Sequence, residues 1–198
     1  MPRYHVFKEV ATMESFRERK TAGFTLVELA LVLVIIGLLI TGVLKGEALI
    51  QNAKIKKLVN QKDSLAAAYY AFYDRYGAYP GDENLPSAPT NDTHNGNQNG
   101  QITGNEYWYL FEDLVLAGII NGSYNGTANS CPTNPYGSWA QIQWNAALQS
   151  NSVVFNAIPY DVAEQVDMKY DDGVYNTGSI RADSNYTTQT NKIVYWRM

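Results

Sequence analysis

Between Phe24 and Leu44 the chain is apolar apart from one charge, Glu28. At about 1.5 Å of rise per residue, a helix over 24–44 is long enough to cross a hydrocarbon core of roughly 30 Å. Such a helix faces lipid or other subunits, and a carboxylate inside it needs a reason. On insertion scales it costs roughly 2.5–3.5 kcal/mol, so an ionisable residue in a span is by default functional and has a partner. A cut between Gly23 and Phe24 would create one, the new α-amino group of Phe24. The first amides of the same helix are expected to face the wrong way for a tidy bond to Glu28, which makes the Phe24 amine of a neighbouring copy the more interesting partner. Two buried charges would then pair only when subunits stack in one register.

Arg17, Arg19 and Lys20 form a basic leader, Gly23 stands at the cut, Phe24 follows, and Glu28 is the fifth residue of the mature chain. These residues resemble the signal of the type IV pilin and pseudopilin family, and the likeness runs over about residues 17–79. The resemblance implies that a membrane prepilin peptidase cleaves after Gly23 and methylates the Phe24 amine. It also implies a set of partners. These are further copies of the chain in a helical homo-polymer, other pilins or pseudopilins, the peptidase, an inner-membrane assembly platform, and membrane lipid before assembly. Family helices have a small residue where the helix melts inside the filament, and Gly37 stands at that place. Many members then carry a proline where this chain has Leu44 and Lys45, so Gly42 and Gly46 would loosen the helix instead.

Two plainer readings compete, because a basic segment before an apolar run also describes a secretory signal peptide or a signal anchor. Here the run is a full-length span, Thr41-Gly42-Val43 is a poor cleavage site, and a plain anchor has no use for Glu28. Charge bears on partners. Of 15 basic and 19 acidic residues, five and three precede Phe24, leaving 10 and 16 in the mature chain, a net of −6. No nucleic-acid partner is expected of so acidic a body, since gripping phosphates takes clustered Lys and Arg. Basic residues before the span and an acidic body after it suit a single pass with a cytoplasmic N-terminus and an exported body, and the resemblance implies that the membrane is the bacterial inner membrane. The family resemblance extends this to a later extracellular pilus or periplasmic pseudopilus. Cys131 is the sole cysteine and His94 the sole histidine after Phe24, so Cys131 reads as a small buried thiol, not a nucleophile.

The chain divides on this reading into a leader at 1–23, which is removed, a transmembrane or filament-core helix at 24–44, an amphipathic continuation at 45–79, and a globular head at 80–198. Met13 offers a second start with a shorter leader. Ile55, Leu58, Val59, Leu65, Tyr69, Phe72, Tyr73 and Tyr76 recur at helical steps opposite Lys54, Lys56, Lys57, Asn60, Gln61 and Asp63, and Gly77, Pro80 and Gly81 stop the helix. The aromatic run at 69–73 is read as core packing. After an Asn/Gly-rich loop at 82–104, helical spacing resumes at 106–117, strands are expected at 140–144 and 153–158, and a helix at about 159–170. Asp161 and Glu164 suit a capped start to that helix. A turn at 172–173 and strands at 179–182 and 193–196 complete the head. The fold class is α+β, a long N-terminal helix packed on a small, mainly antiparallel sheet with short helical insertions, which matches the lollipop shape of the pilin family.

The loop at 95–106 reads as a twelve-residue calcium loop. Asn95, Asn97 and Asn99 supply side-chain oxygens, Gly100 makes the sharp turn, Gln101 offers its carbonyl, and Glu106 is the closing carboxylate. With one formal charge, such a site would bind Ca2+ only in about the 10⁻⁴–10⁻³ M range. The alternative is an Asn/Gly loop that ends in a helix with Glu near its N-terminus. Asp171, Asp172 and Asp183 are read as helix-end and turn residues, and Asn-x-Ser/Thr at Asn121 and Asn125 as chance matches in an Asn-rich chain. No catalytic constellation stands out. The functional expectation is a structural filament subunit. A type II secretion pseudopilin, a calcium-dependent adhesion module at a filament tip, and an anchored periplasmic enzyme are the rivals.

Overall fold

The structure, a computed structural model, describes residues 23–86 and 88–198. Apart from Gly23, the leader and its second start at Met13 lie outside the described residues. The chain separates into two compact units, Met1–Gly46 and Glu47–Met198. Helix α1, Leu26–Tyr76, is a 51-residue element that contributes to both.

In the first unit every large apolar side chain from Phe24 to Leu44 is between 45% and 88% exposed. Among the described residues this is the one helix long and apolar enough to cross a membrane. It continues unbroken through Gly37, Gly42 and Gly46, and the Thr41 hydroxyl donates back to the Gly37 carbonyl at 2.9 Å.

In the second unit the rest of α1 precedes α2 (Glu106–Leu116), β1 (Ala140–Asn145), β2 (Ser150–Ile158), α3 (Tyr160–Tyr170), β3 (Ile180–Ala182) and β4 (Lys192–Arg197). The strands form one antiparallel sheet in the order β1-β2-β4-β3. Register explains the core, because side chains alternate faces along a strand. Ile142, Val153, Trp196 and Ile180 lie in one cross-strand row, and Ala140, Phe155, Val194 and Ala182 in the next row on the same face. All but Ala182, which packs partly buried against them, join Ile55, Leu58, Leu65, Tyr69 and Phe72 of α1 and Leu110, Phe111 and Leu114 of α2 in a single buried cluster. Gly77 ends α1 in the left-handed region, and its amide bonds the Tyr73 carbonyl at 2.8 Å.

Three local expectations need correction. Tyr73 is 41% exposed, and Tyr70 is also on the surface. Tyr73 stacks on Tyr79, which also stacks on Tyr69, so this aromatic run is only partly core. Strand β2 begins earlier than expected, because Ser150–Ser152 pair with β1 although they carry no apolar signal. No side chain caps α3. Pro159 occupies its cap position, and Asp161 instead accepts the Gln51 side-chain amide at 3.3 Å.

Candidate functional site

The Gly23–Phe24 bond lies in exposed, non-helical backbone just ahead of α1. A Cβ added at Gly23 would meet nothing within 4 Å. Nothing in the packing of the described residues therefore requires glycine there, and a requirement would come from whatever grips the peptide.

Thr25 precedes the first helical residue, and its amide and hydroxyl both donate to Glu28 Oε2, at 2.8 and 2.9 Å. The Glu28 amide donates back to the Thr25 hydroxyl oxygen at 3.2 Å. This is a reciprocal capping box, in which a threonine and a glutamate three residues on satisfy otherwise orphaned amides. The expectation that the first amides face the wrong way for a tidy bond to Glu28 is corrected by this contact. Glu28 also sits in the first turn, where the helix dipole favours an anion.

In the Asn/Gly loop a second Thr–Glu contact forms ahead of α2, without the reciprocal amide-to-hydroxyl bond. Thr103 donates to Glu106 Oε2 through its amide at 2.8 Å and its hydroxyl at 3.3 Å, and the Asn97 side-chain amide donates to Oε1 at 2.6 Å. Asn97 Oδ1 accepts the Asn99 amide at 3.1 Å, and Asn99 Oδ1 accepts the Gln101 amide at 2.7 Å. Each of these oxygens faces an N–H or O–H donor of the chain, an arrangement that does not fit a cation as the set stands. Asn95 and Gln101 contribute no side-chain hydrogen bond to it.

The loop's true anchor is a residue that sequence reasoning missed. Asp82, 3% exposed, accepts the Asn99 amide on Oδ1 at 3.0 Å and the Gly100 amide on Oδ2 at 2.7 Å, while its carbonyl accepts Gln98 at 2.8 Å. Gly81 and Gly96 permit this folding-back. A Cβ on Gly81 would lie 2.5 Å from the Glu106 carbonyl oxygen, and one on Gly96 would lie 2.4 Å from the Asp82 Cα. The available signal was an aspartate beside the glycine that stops a helix, a common turn pattern that names no partner.

Elsewhere the acidic residues act as turn acceptors. Asp171 takes the Ser179 and Ile180 amides at 2.6 and 2.7 Å, Asp172 the Val174 amide, and Asp183 the Ile193 amide. Cys131 is half-buried, with its thiol pushed up by burial, and Gln141 donates to its sulfur at 3.8 Å. A raised thiol pKa leaves little thiolate at neutral pH.

The geometry at 23–28 coincides with a known pattern: a family model described as the prokaryotic N-terminal methylation motif matches residues 19–44. The chain carries the pilin-type methylation motif. That motif is the signature of type IV pilins and pseudopilins. It supports a pilin-like or pseudopilin precursor, and together with the apolar helix it supports membrane anchoring before assembly. It implies assembly with other pilin subunits and handling by the prepilin peptidase. No curated protein and no solved structure matches the chain.

Proposed function

We propose that the chain is a structural subunit of a type IV pilus-like filament, cleaved between Gly23 and Phe24, methylated on the Phe24 amine, and assembled through α1. The observation that carries this reading is the methylation motif at residues 19–44, whose described part from Leu26 onward is an exposed apolar stretch of helix with one carboxylate, Glu28, capping its first turn. In lipid the exposed side chains of 24–44 are solvated by acyl chains. In a filament they would be covered by other copies, so withdrawal from the bilayer exchanges one apolar surround for another. Glu28 would exchange Thr25 for the Phe24 amine of the adjoining subunit, a charge pair formed only in register.

Intact-mass measurement of this protein in material sheared from the cell surface tests the reading. A species beginning at methylated Phe24 in that fraction is the expected result. The same processed species confined to the membrane fraction would move the assignment to a secretion pseudopilin, and an unprocessed chain in both would overturn it.

A further inference from the structure

Beside the self-satisfied loop lies a group of carboxylates that is not satisfied. Glu83, Asp92 and Asp113 each offer an oxygen, and these oxygens all lie within 4.8 Å of one another. One oxygen of each is fixed by a backbone amide. Glu83 Oε2 accepts Leu85 at 2.7 Å, Asp92 Oδ1 accepts His94 at 3.2 Å, and Asp113 Oδ2 accepts Gly81 at 2.6 Å. Glu83 and Asp113 are fully buried, and among the described residues their second oxygens, Oε1 and Oδ1, have no hydrogen-bond donor, Glu83 meeting only the carboxyl of Asp92.

Buried polar atoms are almost always paired, and an orphaned buried carboxylate oxygen is more costly than most. Two such atoms beside a third carboxyl make a concentration of negative charge that no basic side chain relieves. Among the described residues the two ion pairs are Lys62–Asp63 and His94–Glu112, and neither includes a member of this group. Either protons or a cation must quench the charge. The spacing suits a cation, because two oxygens bound to one calcium ion at about 2.4 Å can lie at most about 4.8 Å apart. The amide anchors also preorganise the site, holding Glu83 and Asp113 each with its second oxygen unpaired among the described residues.

We propose that Glu83, Asp92 and Asp113 form a binding site for a hard divalent cation of the calcium class. Three carboxylates give it more formal charge than the loop at 95–106, and the remaining positions would be filled by water. The ion would tie the segment just after α1 to α2, which carries Asp113, and so stiffen the ground on which Asp82 holds its loop. This site stands independently of the filament reading, since it uses only residues of the second unit.

The test uses the full-length chain in detergent micelles, stripped with chelator and titrated with calcium chloride by calorimetry and thermal denaturation. One site with a dissociation constant below about 1 mM, and a melting temperature that rises with calcium, is expected. Asp113→Asn should weaken binding about tenfold or more yet stay folded, because the amide is close to isosteric and removes a buried charge. Glu106→Gln should bind calcium as the unaltered chain does. Absence of heat and of any thermal shift in the unaltered chain would overturn the proposal. So would a shift that survives Asp113→Asn, or one that disappears in Glu106→Gln alone.

Discussion

Thr25 holds the carboxylate of Glu28 by two donors on one oxygen, its amide at 2.8 Å and its hydroxyl at 2.9 Å. The lone carboxylate of the span is therefore satisfied within a single chain, before any neighbour arrives. Under the proposed assembly, loss of Glu28 should be harmless to insertion and damaging to polymerisation. We expect Glu28→Ala to enter the membrane and be trimmed normally while giving few or no filaments in sheared fractions. Abundant filaments from that variant would remove Glu28 from the assembly step. Thr25→Ala keeps the backbone amide and should cost the helix end only about 1 kcal/mol.

Glu106 meets the same kind of partner in Thr103, with Asn97 in addition. Its role is thus to close the loop. Glu106→Gln places an amide group where three donors converge, and it should lower stability by about 1–3 kcal/mol. Melting in chelator and in millimolar calcium should show the same drop. A loss seen only with calcium would return Glu106 to the role of a metal ligand.

Asn151 ties three elements together. Its side-chain amide donates to the Tyr69 hydroxyl at 2.8 Å and to the Gly100 carbonyl at 2.9 Å, and its oxygen accepts the Ile102 amide at 2.9 Å. Asn151→Ala strands these groups and should cost about 3 kcal/mol in urea unfolding, with the slope unchanged. A change below about 1 kcal/mol would show that water replaces the side chain there.

Asp167 is buried and accepts the Tyr186 hydroxyl at 2.6 Å and the Gly173 amide at 3.2 Å. Burial raises its carboxyl more than these bonds lower it. A carboxyl with a higher pKa in the folded chain than in the unfolded one binds its proton more tightly in the fold. Its stabilising contribution is complete below the ordinary carboxylate value of about 4 and is lost as pH rises through the raised value. Asp167→Asn, which can still meet both partners, should flatten that part of the pH profile. Urea midpoints measured across mildly acidic pH would reveal it, and an unaltered slope would contradict the assignment.

The elements with long, regular patterns were legible in the sequence. Apolar recurrence located α1 and α2, and β-branched content located β1, β4 and most of β2. The methylation motif was legible because its residues are contiguous. Thr25-x-x-Glu28 and Thr103-x-x-Glu106 share one sequence pattern ahead of apolar runs, but only the first is a capping box in the structure, since α2 starts at Glu106 behind Asn105. What could not be read depends on distant contacts. Asp82 and Asn151 look like ordinary turn and strand residues until folding brings Gly100 between them. Burial is equally non-local, so nothing adjacent to Glu83 or Asp113 marks them as the fully buried acids of their group.

The strand order also constrains how the protein is made. β4 lies between β2 and β3, so β3 has no strand to pair with until β4 arrives, although β4 follows it in the chain. Synthesis proceeds from the N-terminus, at about 5–20 residues per second. During that interval β2 presents an open edge, and Val153, Phe155 and Ile180 lack their cross-strand neighbours Trp196 and Val194. A chain stalled or clipped before Lys192 would keep two hydrogen-bonding edges open to strangers, which makes late truncation a route to aggregation more than to a smaller working subunit.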